Sequence, residues 1–147
     1  MDEQQFFWQT MELCDWSFEG DDDMVLKPVI EYLSKKDDNI IFLFDDIMSE
    51  LLYNLDTRKL SEQAEKVSGY TSDDLFLYSR CVALINGPEY YEKAKKGKQK
   101  DMWDMEFEAL IYVPSSAWAL KHKQSPDEYP HSAPLSFETG SNKEGWK

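Results

Sequence analysis

The sequence predicts an all-α fold, as a single compact multi-helix domain with an extended C-terminal segment packed across it. Apolar residues recur at spacings of three and four through most of the chain, and no segment alternates apolar and polar residues as a half-buried strand does. The 147 residues are 41% hydrophobic and 14% aromatic, which is enough apolar material for a folded domain with its own core. From Gln124 onward, prolines and glycines exclude long regular elements.

Two helices are predicted before residue 35, separated by a turn at Gly20. Acidic residues precede both, where negative charge stabilises a helix N-terminus. Pro28 must lie in the first turns of the second helix or kink it. Each helix has apolar residues three or four positions apart on one face: Phe7, Met11 and Cys14 in the first, and Val25, Val29 and Leu33 in the second.

The most amphipathic helix is predicted over residues 40–55, at the centre of the core. Its apolar stripe contains Ile40, Phe44, Ile47, Leu51 and Leu55. The opposite stripe is polar, and we expect it to face solvent: Asp45, Asp46, Ser49, Glu50 and Tyr53.

Shorter helices are predicted farther along the chain. Residues 57–67 are polar and permit a helix. Thr71 fits the N-cap of the next helix, because an acid stands three residues after it. Gly87 and Pro88 end that helix and begin another, as a helix C-terminus and a first helical turn prefer these residues. The predicted ranges are 72–85, 89–96, 106–113 and 116–122.

The C-terminal segment, residues 124–147, is predicted to be irregular but packed within the single domain of residues 1–147. Its apolar anchors are too numerous for a solvated linker: Tyr129, Leu135, Phe137 and Trp146. We expect the segment to cover apolar surface of the helices. The alternative is that residues 136–142 form a polar ligand-binding loop.

Charge is the strongest functional signal in the chain. The sequence has 29 acidic and 16 basic residues, a net charge of −13. Residues 1–50 hold 14 of the acids and only Lys27, Lys35 and Lys36, a balance of −11. Such a field repels nucleic acid and anionic membranes, and it attracts basic proteins or cations. An acidic N-terminus and the lack of a long apolar run favour a cytoplasmic protein.

Four stretches of the sequence are similar to a known family: FFWQTMELCDWSFEGDDD at 6–23, IFLFDDIMSELLYNLDT at 41–57, LFLYSRCVALINGPEYYE at 75–92 and DMEFEALIYV at 104–113. They resemble a bacterial family catalogued as domain of unknown function 4240, over most of residues 6–122. The resemblance implies a small, mainly helical domain without an assigned activity. It supplies no catalytic residues.

A calcium loop beginning at Asp15 is the nearest match to a metal motif. Asp15, Ser17, Glu19, Gly20 and Asp23 fit its pattern, but Leu26 stands where the bidentate glutamate belongs. His122 and His131 lack the spacing of a zinc site. We therefore expect no metal, no cofactor and no catalytic residue.

Three other reactive or charged side chains are expected to be structural. Cys14 and Cys81 lie in apolar helical patterns, as buried free thiols do. Arg80 lies beside a core stripe and is expected to pair with a carboxylate. The chain also lacks nucleotide-binding glycine motifs and hydrolase signatures.

We interpret the sequence as a non-enzymatic protein-binding module, in its most concrete form an immunity or inhibitor protein that blocks a basic bacterial toxin such as a nuclease. Aromatic side chains such as Tyr53 and Trp16 would supply anchoring contacts. The alternatives are a small helical enzyme and a housekeeping domain; the oligomeric state stays open. The candidate partner-binding residues are Asp15, Glu19, Asp21, Asp22, Asp23, Asp45, Asp46, Glu50 and Tyr53.

Overall fold

The computed structural model describes residues 2–147. It contains seven α-helices: α1 Glu3–Met11, α2 Asp22–Ser34, α3 Asp38–Asn54, α4 Arg58–Ser68, α5 Asp73–Ile85, α6 Pro88–Lys95 and α7 Val113–His122. Five short 3-10 helices lie between or after them: Trp16–Phe18, Lys100–Asp104, Glu108–Tyr112, Pro126–Glu128 and Glu144–Trp146. No strand occurs among the described residues, so the predicted all-α fold is confirmed.

Four of the described helices, α1, α2, α4 and α5, begin directly after a residue whose side chain caps the helix. The Asp21 carboxylate accepts a hydrogen bond from the Met24 N–H at 3.3 Å at the start of α2. Ser72, and not the predicted Thr71, caps α5 by accepting from the Leu75 N–H at 3.1 Å. The acid three residues after a hydroxyl favoured Thr71, since Leu75 stands three residues after Ser72, but α5 begins one residue later than that pattern indicates.

Pro28 and Pro114 each lie within an α-helix, after its first residue. Pro28 is accommodated within α2, which runs unbroken to Ser34. Pro114 lies in the first turn of α7, where its missing N–H needs no partner and its fixed φ suits a helix. The helix therefore begins at Val113, ahead of the predicted residue 116. The short helix predicted over residues 106–113 is a 3-10 helix, and it is shorter than predicted, Glu108–Tyr112.

Backbone contacts divide the chain into two units. Unit 1 comprises residues 2–47 and 109–134, and unit 2 comprises residues 48–108 and 135–147. The boundary falls inside α3, after Ile47. The prediction of one domain over residues 1–147 stays a prediction.

In unit 1, α2 packs against α7, and the start of α3 adds to the core. The Phe7 and Phe44 rings are fully buried, with centroids 4.9 Å apart. Val25, Val29 and Leu33 are also fully buried, as the spacing predicted.

In unit 2, α4 and α5 pack on the 3-10 helix Lys100–Asp104. Arg80 is fully buried in this unit and lies over the Phe76 ring at 4.7 Å. Its guanidinium donates to the carbonyls of Leu52 and Phe137 and to the Thr139 hydroxyl. Within residues 2–147 it forms no direct ion pair, so the predicted salt bridge is wrong. Carbonyl and hydroxyl oxygens accept from Nη1 and Nη2 instead, and the buried Nε has no hydrogen-bond partner among the described residues.

The polar stripe of α3 is the main correction to the predicted burial. Asp45 is only 8% exposed and Ser49 only 2%, so the expectation that both face solvent is wrong. At Asp45, the reason is Tyr129, whose hydroxyl bonds to the carboxylate across 84 positions of sequence. Helical periodicity contains no information about so distant a contact.

Each half of the C-terminal segment packs on its own unit. In unit 1, Tyr129 and His131 lie against the Phe42 ring. In unit 2, the Asp56 carboxylate is fully buried and accepts hydrogen bonds from backbone N–H groups of Gly140 and Asn142 and from the Trp146 indole. Three donors of residues 140–146 are therefore engaged by Asp56.

Candidate functional site

A loop between α1 and α2 exposes three large apolar side chains. Leu13 is 40% exposed, Trp16 43% and Phe18 42%. Their neighbours Glu12, Asp15, Glu19 and Asp21–Asp23 are acidic. We call residues 12–23 the acidic aromatic loop.

Local hydrogen bonds fix the shape of the acidic aromatic loop. The Asp15 carboxylate caps the 3-10 helix Trp16–Phe18, accepting from the Ser17 N–H at 3.1 Å and the Ser17 hydroxyl at 2.6 Å. The Asp15 N–H donates to the Val25 carbonyl at 2.9 Å, which ties the loop to α2. Trp16 and Phe18 are thus presented from a turn of defined geometry.

The acids of the loop have different surroundings. Glu19, Asp21 and Asp23 are exposed, whereas Asp15 and Asp22 are half-buried. Asp22 and Asp23 lie in the first turn of α2, where the helix dipole favours negative charge. Asp15 and Asp21 serve as caps, which gives them a structural role in addition to their charge.

Charge is concentrated in the unit that carries this loop. Unit 1 has 15 acidic and 5 basic residues, a net charge of −10. Unit 2 has 14 acidic and 11 basic residues, a net charge of −3. None of the five basic residues of unit 1 lies in the acidic aromatic loop.

Asp45 and Asp46 contact the C-terminal segment. Tyr129 donates to Asp45 at 2.8 Å, and the His131 ring nitrogen lies 2.7 Å from Asp46. The His131 ring is stacked on Phe42, with centroids 4.6 Å apart. Burial, together with the nearby Asp45 charge, raises the pKa of Tyr129, so its hydroxyl keeps its proton. Asp45 therefore contributes little accessible charge to a binding surface.

Glu50 and Tyr53 belong to the part of α3 in unit 2. Glu50 is exposed, and Tyr53 is half-buried. Of the predicted partner-binding residues, the structure brings together five in the acidic aromatic loop: Asp15, Glu19, Asp21, Asp22 and Asp23.

A family comparison covers most of the chain. A family model described as "Protein of unknown function (DUF4240)" matches residues 1–119. The chain belongs to the DUF4240 family. The match includes the whole acidic aromatic loop, and it ends before the segment that supplies Tyr129, His131 and the donors to Asp56. Neither a curated protein nor a solved structure matches the chain significantly.

The cysteines of this DUF4240 protein are free and buried. Desolvation raises the pKa of the Cys14 thiol to about 11 and that of the Cys81 thiol to about 12. Both thiols are therefore protonated near neutral pH, which is a poor starting state for a nucleophile. The described residues contain no cluster of histidine, cysteine or carboxylate groups suited to a metal ion.

Sequence reasoning missed one charged cluster of the DUF4240 chain. The Asp38 carboxylate lies 2.7 Å from the Lys121 ammonium and 2.9 Å from the His122 ring nitrogen. Lys121 also donates to the Lys36 carbonyl at 2.8 Å. The hydrogen bond from Lys121, followed by that from His122, lowers the pKa of Asp38. The partners are more than 80 positions apart, so no local pattern indicates them.

None of the described helices is both long and apolar enough to cross a membrane.

Proposed function

We propose that this DUF4240 protein is a non-enzymatic binding domain whose acidic aromatic loop docks a basic protein. The observation that carries the proposal is the exposure of Trp16 and Phe18 on a hydrogen-bonded turn, in a loop that contains six acidic residues. Exposed apolar patches mark interaction sites, and large aromatic side chains are enriched among the residues that anchor protein interfaces.

The aromatic side chains would supply most of the binding energy. The hydrogen bonds of Asp15 already hold the turn, so little conformational entropy is lost when a partner covers Trp16 and Phe18. Lysine or arginine side chains of a partner can also lie over these rings, and such cation–π contacts contribute about 0.5–2 kcal/mol each.

The carboxylates would select a positively charged partner and would increase the rate of association. The net charge of −10 on unit 1 accelerates encounters with a cationic surface and slows those with anionic ones. Glu19 and Asp23 are exposed beside the aromatic residues, where they can pair with basic groups.

The most specific form of the proposal is an immunity or inhibitor protein that covers the substrate-binding surface of a basic toxin such as a nuclease. A nuclease binds phosphate through lysine and arginine, and an acidic surface competes for the same groups. A cytoplasmic site of action agrees with two free cysteines in the structure.

The experiment has two stages. Tagged protein is first used to capture partners from its native lysate at low and moderate salt, and a captured protein is then purified. Its affinity is measured for the wild type and for Trp16→Ala/Phe18→Ala. A loss of about thirtyfold is expected, because anchoring residues contribute about 2 kcal/mol or more. The matched control is Leu120→Ala, which truncates a side chain 54% exposed on α7 of the same unit.

Charge is tested separately with Glu19→Lys/Asp23→Lys, which leaves both capping residues intact. The association rate should fall, and its dependence on salt should weaken. Asp127→Lys/Glu128→Lys changes the unit 1 charge by the same amount at exposed positions outside the loop. Equal effects of the two charge pairs, with no effect of the aromatic truncations, would contradict docking at this loop.

A further inference from the structure

Unit 2 contains an open cleft between α4, α5 and the segment that follows the 3-10 helix Lys100–Asp104. Its volume is about 290 Å³. That is at the small end of the range for ligand pockets in proteins. Three of its wall residues are large, apolar or aromatic, and exposed: Tyr70 is 64% exposed, Leu75 38% and Met105 43%.

The serine hydroxyls and the indole N–H in the wall of the cleft are already engaged. The Ser79 hydroxyl donates to the Met105 carbonyl at 2.7 Å. The Ser68 hydroxyl donates to the carbonyls of Ala64 and Tyr70. The Trp103 indole N–H donates to the Gln63 side chain at 2.7 Å. The wall therefore offers apolar and aromatic surface, not free hydrogen-bond donors.

Two carboxylates complete the cleft. Asp104 and Glu106 line it on either side of Met105, and both are exposed. Their side chains form no hydrogen bond or ion pair with any other described residue, and no lysine, arginine or histidine lines the cleft. A ligand that enters it thus meets uncompensated negative charge.

We propose that this cleft binds a small organic cation, with an apolar body and an ammonium group. The apolar body would cover Leu75 and Met105, which are otherwise in contact with water. The ammonium would lie near Asp104 and Glu106 and could contact the Tyr70 ring, an arrangement that favours quaternary ammonium groups. An anion is excluded by the charge, and a bare metal ion would find too few oxygen ligands.

This inference goes beyond the proposed function and does not rest on it. The acidic aromatic loop belongs to unit 1, whereas every residue of the cleft belongs to unit 2. If the cleft binds no organic cation, the docking proposal for the acidic aromatic loop still stands, and the reverse also holds.

The test uses choline and its neutral isostere 3,3-dimethylbutan-1-ol, titrated into the full-length protein and followed by two-dimensional amide NMR. Choline should shift the Trp103 indole signal and the amides of Tyr70, Leu75 and Met105, with a dissociation constant near or above about 1 mM. The neutral isostere should bind about tenfold more weakly, because it lacks the cation–π and Coulomb terms.

Variants separate the cleft from general acidity. Asp104→Asn/Glu106→Gln should weaken choline binding about fivefold and leave the neutral isostere unaffected, since one or two exposed charges contribute less than about 1 kcal/mol each. The control Glu65→Gln/Glu89→Gln removes two exposed acids of unit 2 that do not line the cleft. Tyr70→Ala, at a largely exposed position, should abolish the shifts without unfolding the protein.

Equal binding of choline and its isostere would overturn the proposal. Choline shifts spread over the acidic residues of the chain, or equal losses in the cleft and control variants, would also overturn it.

Discussion

The Tyr129 hydroxyl donates a hydrogen bond of 2.8 Å to Oδ2 of Asp45, a carboxylate that is only 8% exposed. Tyr129 also lies edge-on to Phe42 and to Trp118. A buried carboxylate is costly unless its oxygens are hydrogen-bonded. The pair therefore stabilises unit 1 by satisfying a polar group inside an aromatic cluster.

Tyr129→Phe should destabilise the protein by about 1–3 kcal/mol. The aromatic contacts remain, but the Asp45 carboxylate loses a donor and stays buried. Urea denaturation of the variant measures the loss. Tyr32→Phe, at a more exposed position in the same unit, provides the control and should change stability by less than about 0.5 kcal/mol.

A double-mutant cycle identifies the origin of that loss. In an Asp45→Asn background, Tyr129→Phe should cost less, since the neutral amide is cheaper to leave without this donor. If the losses of stability caused by Tyr129→Phe and by Asp45→Asn were additive in the double mutant, the hydrogen bond between the two side chains would not explain the loss in Tyr129→Phe.

Asp38 should make stability depend on pH in the acidic range. Its pKa lies below the ordinary value of 3.8 because Lys121 and His122 donate to the carboxylate. A group with a lowered pKa in the folded state contributes stability above its unfolded pKa, and that stability is lost as the pH falls. The cluster should therefore stabilise the wild type at pH 6 and lose its effect below about pH 4.

Asp38→Asn tests the predicted direction of this change of stability with pH. At pH 6 the variant should be less stable than the wild type by up to about 1 kcal/mol, the usual range for a partly exposed ion pair. The difference should shrink in denaturant titrations near pH 3. Asp37→Asn, at an exposed neighbouring position, provides the control. A constant difference at both pH values would contradict the assigned role.

The predictable parts of the fold are the local ones. Asp21 and Pro88 mark helix starts through interactions within a few residues, and the four-residue spacing from Val25 to Leu33 identified a core face. The burial of Asp45 was mispredicted because its partner lies 84 positions away, although both are in the same unit. A hydrophobic period of 3.6 residues identifies the faces of one helix, but it carries no information about which distant segment packs on those faces.

The same limit applies to the candidate sites. The acidity of residues 12–23 is visible in the sequence, and Trp16 was a candidate anchor. The exposure of Phe18 depends on the turn that Asp15 caps. The cleft of unit 2 gathers residues from three segments between Ala64 and Glu106, none of which carries a motif. Only the tertiary packing reveals it.

The Asp56 carboxylate should hold the end of the chain in place. It accepts from Gly140 N–H at 3.0 Å, Asn142 N–H at 3.1 Å and the Trp146 indole at 2.8 Å. Asp56→Asn replaces one acceptor oxygen with an NH₂ group that faces donors. A loss of about 2–4 kcal/mol is expected in urea denaturation, together with faster proteolysis near the C-terminus.

Asp74→Asn is the control for this change, because Asp74 is an exposed acid of unit 2. Trp146→Phe should have an intermediate effect of about 1 kcal/mol, since it removes one of the donors and keeps most of the ring contact with Phe76. If Asp56→Asn altered stability without exposing the C-terminal segment to protease, the carboxylate would act on α3 and α4 alone.

Arg80 should be irreplaceable by lysine, although both carry one positive charge. Its Nη1 donates to the Leu52 carbonyl at 2.9 Å, and its Nη2 donates at 3.0 Å to both the Phe137 carbonyl and the Thr139 hydroxyl. A lysine ammonium is a single point of donation on a flexible stem and cannot reproduce this fork.

Arg80→Lys should therefore cost about 2–4 kcal/mol, close to the loss expected when a buried charged network is broken. Amide hydrogen exchange distinguishes a network from simple packing. Residues 137–142 should exchange faster in Arg80→Lys, because the link from α5 to the C-terminal segment is lost. Thr139→Val removes only one acceptor of Arg80, a hydroxyl that also donates to the Asp73 carbonyl. It should therefore increase the exchange rates of the same amides by a smaller amount. If Arg80→Lys changed the stability of unit 2 but left those exchange rates unchanged, the guanidinium would support only the helical core.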